Sequence, residues 1–276
     1  MINATGNRMT AEIRRQTSLA DTISRLQKQI SSGVRIDRPS DDPVAAARIS
    51  GFRQQQSDMS TWLANLDIGI TATSQADGVL KNASDLVARY QQLTVAGASG
   101  SASAADRATM ANELRSIADE LDSLQGATDA LGNALFPLGA SMQLRIDAGT
   151  TVPMMRDRAA LFEVSGVNVG DMVRNAATAM DSGNSAAIQA TVSEARTAVG
   201  KIADSAAMVG LDAARLDRVR DSHLARQIDV QTERKAFEST DLTQAIAELN
   251  ATQVTLDAAQ AAFARINRKT LFDILG

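Results

Sequence analysis

The chain offers few residues that could do covalent or acid–base chemistry. Cysteine is absent, which removes thiolate nucleophiles, disulfides and soft metal ligands, and His223 is the only histidine. His223 falls in helical phase beside an apolar seam, with no His, Cys or carboxylate at metal-ligand spacing around it, so its expected role is structural. Asp41-Asp42 could be read as ligands for a hard cation. Both, however, stand where a helix begins, and there a carboxylate accepts orphan N–H groups and suits the positive end of the dipole. Gly200-Lys201 lacks the upstream glycine and downstream Ser or Thr of a phosphate loop. No nucleophile–base pair is present, so the sequence predicts no enzyme, no catalytic residue, no cofactor and no metal site.

The elements that position Asp41 and Asp42 are more informative. Ser31-Ser32-Gly33-Val34-Arg35-Ile36-Asp37-Arg38-Pro39-Ser40-Asp41-Asp42-Pro43 lies between two helical patterns. Gly33 is a helix stop, because a residue without Cβ can take the left-handed conformation that closes a last turn. Ser40-Asp41-Asp42-Pro43 is a helix start, with side-chain acceptors for the first N–H groups and a proline that the first turn tolerates. Between them runs an extended, Arg-rich spoke. Arg35, Arg38, Asp41 and Asp42 are its candidates for salt bridges between subunits; the alternative is an ordinary solvated loop whose ion pairs contribute little.

Composition limits the fold class. The 276 residues are 44% hydrophobic but only 3% aromatic. An apolar fraction made of Ala, Leu, Ile, Val and Met suits long helices packed along seams. A net charge of −4 gives no footprint for nucleic acid, and no apolar run is long enough to span a membrane. The N-terminus has no basic-then-apolar signal peptide, since Arg14 and Arg15 interrupt it.

Periodicity then sets the elements. Met9, Ile13, Leu19, Ala20, Ile23, Leu26 and Ile30 form a narrow coiled-coil-like seam, on a first helix about 45 Å long. A second helix from Asp42 to Val95 carries Ile49, Phe52, Met59, Leu63, Leu66, Ile70, Leu80 and Val87, with Trp62 packing beside the seam. A third carries Met110, Leu114, Ile117, Leu121, Leu124, Thr128 and Leu131. Alternation over Met142–Asp147, a turn at Ala148-Gly149-Thr150 and a return over Thr151–Met155 predict a β-hairpin. Helix returns at Val169–Met180 and again from Ile188 to Phe237. Gly200 and Gly210 lie inside that last helix, each costing about 1 kcal/mol against Ala, a cost that close helix–helix approach can offset.

After new caps at Ser239-Thr240-Asp241, the final helix carries Leu242, Ile246, Leu249, Leu256, Phe263 and Ile266 on one face. From Leu242 to Ala264 its only charges are Glu248 and Asp257. A solvated helix usually has a charged outer face; this one suits a helix surrounded by neighbours. The expected fold is mainly α: a long antiparallel helical bundle with coiled-coil terminal helices and a small β-hairpin segment in the middle. Residues 1–32 with 242–276 form the terminal pair, 33–42 the spoke, 43–131 with 168–240 a helical core domain, and 132–167 a small β or irregular insert. Ile23, Leu26 and Ile30 with Leu249, Leu256 and Phe263 are the candidate coiled-coil contacts. Two marginal helices that must also close a loop of most of the chain are expected to be largely disordered in a free monomer.

Ser-Gly-Val-Arg-Ile at 32–36, followed by Arg-Pro-Ser-Asp-Asp-Pro-Val-Ala-Ala at 38–46, resembles the N-terminal signature of the hook-associated protein 3 family, the hook–filament junction branch of the flagellin superfamily. Flagellins carry a related loop closer to Ser-Ala-Lys-Asp-Asp-Ala-Ala-Gly. Val209-Gly210-Leu211 with Arg215-Leu216-Asp217, and the terminal Leu271-Phe272-Asp273-Ile274-Leu275, are similar to further segments of that family. Asn133-Ala134-Leu135-Phe136 with Gly139 resembles its middle, although Pro137-Leu138 interrupts the motif. The roughly 35 residues available there are too few for the outer domain of many relatives, which is expected to be missing.

The resemblance implies a structural subunit, located extracellularly in the flagellum at the hook–filament junction and exported without a cleaved signal. It implies self-association into a ring, partnership with hook-associated protein 1 and flagellin, and an export chaperone on the C-terminal helix, with neither nucleic acid nor membrane insertion. The nearest alternative is a flagellin or minor flagellin that forms the filament itself. A soluble helical binding module is the other, and the charge-poor last helix argues against it.

Overall fold

The computed structural model describes the backbone of residues 2–129 and 132–275, with side chains described for 7, 9–129 and 132–265. Helices α1 (Ile2–Ser32), α2 (Pro43–Gly97), α3 (Ala104–Gln125), α4 (Arg158–Phe162), α5 (Val169–Ser182), α6 (Ser185–Glu238) and α7 (Leu242–Leu275) account for most of the chain. The fold is a mainly α bundle with a small β segment. By internal contacts it divides into a terminal unit, Met1–Ser57 with Gln227–Gly276, and a central unit, Asp58–Arg226. These boundaries fall inside α2 and α6 rather than at the ends of the terminal helices.

In the central unit, α3 packs on α5. Ala111, Leu114, Ile117, Ala118 and Leu121 of α3 and Val169, Met172, Val173, Ala176, Ala177 and Met180 of α5 are all buried, at the three-and-four spacing of one helix face. Leu66, Leu80, Val87, Tyr90 and Leu93 of α2 and Ile188, Ile202, Val209 and Leu216 of α6 belong to the same core. The antiparallel course of α2 and α6 is fixed by cross-pairs: Trp62 tilts against His223 with ring centroids 5.5 Å apart, and Arg220 Nε donates to Asp67 Oδ1 at 2.8 Å. Burial pushes the Tyr90 phenol pKa up, since its ionised form has no water to meet.

Helix α3 starts on a capping box, in which the Ser103 hydroxyl accepts from Asp106 N while the Asp106 carboxylate accepts from Ser103 N. It stops at Gln125, capped by Gly126, earlier than the periodicity predicts. Thr128 leaves the helix to bridge Ala134, and the predicted seam residue Leu131 lies outside the described residues. The glycine turn outweighs the heptad phase there.

The insert holds two hairpins. Strands β1 (Gln143–Arg145) and β2 (Thr151–Pro153) pair antiparallel with Leu144 opposite Val152, both buried. A second, unanticipated pair, β3 (Glu163–Val164) and β4 (Val167–Asn168), turns through Ser165 and Gly166, both at positive φ. Phe136, ahead of β1, and Phe162, at the end of α4, meet edge to face at 5.1 Å, fully buried. Arg156 clamps Asp212 of α6 through two bonds of 2.6 and 3.0 Å.

The glycines that permit close packing are not those expected. A Cβ at Gly200 or Gly210 would meet nothing within 4 Å, so no close helix approach offsets their cost. A Cβ at Gly97 would lie 2.3 Å from Met180 Sδ, and one at Gly69 would lie 3.1 Å from Leu216 Cδ1.

Candidate assembly interface

No buried acid–base constellation appears among the described residues, and they contain no cluster of metal-binding side chains. His223 is buried between elements: its Nε2 lies 2.7 Å from the Ile146 carbonyl oxygen. A carbonyl only accepts, so Nε2 carries the proton. Asn65 Nδ2 donates to the neighbouring Arg145 carbonyl at 2.7 Å, and together these bonds hold the end of β1. The predicted seam and spoke residues all lie in the terminal unit.

There α1 packs on α7. The helices run antiparallel, because α1 ends where α7 begins: Thr240 N donates to Gly33 O at 2.9 Å and Arg35 N to Glu238 O at 2.7 Å. Val34 and Ser239 form an isolated bridge between these bonds. The two chain breaks are thus zipped into one junction, a pairing that nothing in the sequence pattern signals. Gly33 has φ of +68°, as the helix stop requires, and Gln29, buried in the last turn of α1, donates to the Arg35 carbonyl at 2.6 Å.

Counting both helices outward from the junction at equal rise gives the layers Ile30/Ala245, Leu26/Leu249, Ile23/Thr252, Leu19/Leu256, Gln16/Ala259 and Glu12/Phe263. Burial follows the same phase: each of these residues is buried or half-buried, while almost every residue between them on α7 is exposed. The six predicted contact residues, Ile23, Leu26, Ile30, Leu249, Leu256 and Phe263, are all buried or half-buried in this phase. Only Leu26 (2% exposed) and Ala245 are its fully buried apolar members. Met9 and Ile13, by contrast, are about half exposed, as are Leu242 and Ile246. Ile13 and Ile246 sit one step off the 4-3 phase, Met9 and Leu242 are in phase but exposed, and polar Gln16 and Glu12 occupy the layers between Leu19 and Met9. The Leu271–Leu275 string lies in α7 with its side chains outside the described set.

The spoke is internally paired. The Asp42 carboxylate caps α2 by accepting from Ala45 N at 3.0 Å and binds Arg35 at 3.2 Å. These contacts, the cap first, hold its pKa below the usual carboxylate range. Asp41 Oδ2 accepts from Arg38 N at 2.8 Å and Asp37 N at 3.1 Å, closing a turn rather than an extended run. Lys28 Nζ donates to Asp37 at 2.5 Å, and that bond lowers the Asp37 pKa. Of the four predicted spoke residues, Arg38 alone has a side chain without a hydrogen bond or ion pair among the described residues. Behind the junction, Phe237 meets Phe52 at 5.8 Å with Arg48 over its ring at 5.4 Å, and Arg53 and Arg234 both pair with Glu238.

The outward face of α7 is the other distinctive surface. Ala247, Asn250, Ala251, Val254, Ala258 and Ala261 are all exposed, and Val254 is 69% exposed. Glu248 and Asp257 flank this face without ion pairs among the described residues.

Residues 3–137 match the bacterial flagellin N-terminal helical region. That stretch, just under half of the chain, is flagellin-like. A flagellin of Escherichia coli O127:H6 is 28% identical over 173 residues, which cover 60% of this chain and 31% of that protein. The chain spans 27% to 41% of the length of the first curated relatives it matches. Its fold is similar to that of a putative flagellar hook-associated protein from Vibrio parahaemolyticus, with TM-score 0.64 and 20% identity over 71% of this chain and 99% of that one. It is also similar to Xanthomonas campestris FlgL, with TM-score 0.51 and 14% identity over 58% of this chain and 92% of that one. The signature loop at 32–46 lies within the flagellin-like region, and the α1–α7 pair adds the C-terminal helix to it.

Proposed function

We propose that this chain is a structural subunit of the bacterial flagellum that joins hook to filament, assembling as a ring through its paired terminal helices. The observation that carries the reading is the mismatch within α7: its seam to α1 is thin, yet its outward face is almost free of charge. A helix with so little burial needs more neighbours than one chain provides, and uncharged, Ala-rich faces allow close packing against them. In this reading Ile23, Leu26, Ile30, Leu249, Leu256 and Phe263 hold the coiled coil of each subunit. Arg38, left unpaired in the spoke, makes the intersubunit salt bridge, while Arg35, Asp41 and Asp42 shape the loop that presents it. Hook-associated protein 1 and flagellin are the neighbours, and a chaperone covers α7 before export.

The Arg-Pro-Ser-Asp-Asp-Pro loop favours the junction over the filament. The match of residues 3–137 to a flagellin region favours a minor flagellin as the second reading. Immunogold electron microscopy of flagella with antibody to this chain separates them. Label at one spot between hook and filament supports the junction; label along the filament supports the minor flagellin; absence of label from flagella rules out both.

A further inference from the structure

The two terminal helices do not meet as free segments. At the junction each has a turn already built. Gly33 N closes α1 on Gln29 O at 2.8 Å, and Gln244 N and Ala245 N start α7 on the Asp241 carboxylate and carbonyl at 3.1 and 2.9 Å. The Thr240–Gly33 and Arg35–Glu238 backbone bonds set these two turns side by side. Gln29, 8% exposed, locks the corner from within α1 by donating to the Arg35 carbonyl. The base beneath is held without α1 or α7: Phe52 meets Phe237, Arg53 pairs with Glu238, and Arg234 Nη1 donates to Gln56 at 2.6 Å, all between α2 and α6.

Two costs that oppose a terminal pair are thereby removed before it forms. Loop closure is the first: α2 and α6 already bring the two chain breaks together, so the stretch between Arg35 and Glu238 no longer counts against pairing α1 with α7. Helix nucleation is the second, because adding a residue to an existing turn is far easier than starting one. Burial falls off in the same direction. Gln29, Leu26 and Ala245 are buried within the first two layers, whereas Met9, in phase at the outer end, is 48% exposed. We infer that the junction is a clasp that nucleates the terminal pair. From it α1 orders backward and α7 forward as one zipper, fixed at its base and open at its ends. The device belongs to the single chain and holds for a junction subunit and for a filament subunit alike.

Gln29→Ala separates the clasp from ordinary helix stability. Alanine is the better helix former and no apolar seam residue is touched, so propensity alone predicts slower amide exchange in α1. The clasp predicts exchange faster by about tenfold across residues 9–32 and 242–265 together. Leu256→Ala removes an apolar layer farther out. It speeds exchange outward of that layer, in residues 9–19 and 256–265, and leaves 26–32 and 242–249 at the natural rate. In the natural full-length chain, rates rise in step from the junction toward both ends. Hydrogen exchange with mass spectrometry reads all of these, and amides of residues 58–226 keep their protection in both variants. Exchange in Gln29→Ala that is slower, unchanged or raised only in residues 29–35 overturns the inference. So does a Leu256→Ala chain whose base loosens as much as its ends, or a natural chain in which residues 26–32 and 242–249 exchange as fast as residues 9–15 and 258–265.

Discussion

Leu26→Ala tests whether the terminal pair is a marginal structure. Leu26 is 2% exposed and, among the described residues of α1, is the one large apolar side chain that is fully buried, level with Leu249 in the second layer from the junction by equal rise. Truncating a buried leucine costs about 2–5 kcal/mol in a packed core. The remaining large apolar seam residues, Leu19, Ile23, Ile30, Leu249, Leu256 and Phe263, are only half-buried. Each then contributes somewhat less than the roughly 1.5–3 kcal/mol of full burial, before the ordering of two long helices is set against the sum. The loss of one layer is therefore a large share of the small net that remains. The natural monomer should show fast amide exchange in α1 and α7 relative to α3 and α5. Leu26→Ala should remove what protection remains, along with the helical signal of the 31 and 34 residues in those helices. Amides of residues 58–226 should keep their protection. Hydrogen exchange with mass spectrometry, read beside far-UV circular dichroism, measures all three. Terminal amides as protected as those of α3 and α5 in the natural monomer would refute the argument.

The interior glycines give a prediction of opposite signs. Gly200→Ala and Gly210→Ala have open space around the new methyl and should each stabilise by about 0.5–1 kcal/mol. Gly97→Ala meets Met180 Sδ at 2.3 Å and should destabilise by about 1–3 kcal/mol; urea midpoints decide, and a loss at 200 or a gain at 97 contradicts the packing. Acid should loosen the junction. The folded-state pKa values of Asp42 and Asp37 lie below the ordinary carboxylate value, so their stabilisation is complete above that value and is lost as pH falls through the folded pKa. Exchange at residues 33–46 should therefore accelerate below about pH 4, and Asp42→Asn should flatten that dependence. Phe136→Ala removes one ring of the fully buried pair with Phe162 and should cost about 3–5 kcal/mol of central-unit stability, seen as a lower thermal midpoint without earlier exchange in α1.

Much of the architecture was legible because long helices repeat one pattern many times. The starts and stops at Gly33, Asp42 and Asp241 were readable from capping chemistry alone. The seam of α1 was readable only in its inner half: from Leu19 to Ile30 apolar residues mark the 4-3 phase, whereas farther out Ile13 points to the wrong stripe and polar Gln16 and Glu12 hold the layers. Hydrophobicity identified a face there, but the partner helix sets the phase, and the partner lies more than two hundred residues away. The same limit hid the junction, whose bonds join backbone groups at Gly33 and Arg35 to Glu238 and Thr240 and so leave no mark in residue type. The spoke charges stand together in the sequence, but their pairing within the chain depends on a turn that only the folded loop reveals. The hairpin at Ser165-Gly166 has two-residue strands, too short for alternation to register.

The distribution of charge within the terminal unit connects these features. Lys28, Arg35, Asp37, Asp42, Arg53, Arg234 and Glu238 crowd around the junction and are paired there. Across the outward face of α7 charge nearly vanishes, and the seam beneath it weakens toward Glu12 and Gln16. If water were the permanent surroundings of α7, charge on its outer face would improve solubility at no cost to the seam. If α1 were its only partner, aliphatic residues at positions 12 and 16 would complete the seam. Neither arrangement is present. An inner end fixed by polar bonds and an outer end poor in surface charge suit the assembly proposed above, in which the base of the helix pair is built in each subunit and its remaining contacts come from a neighbour.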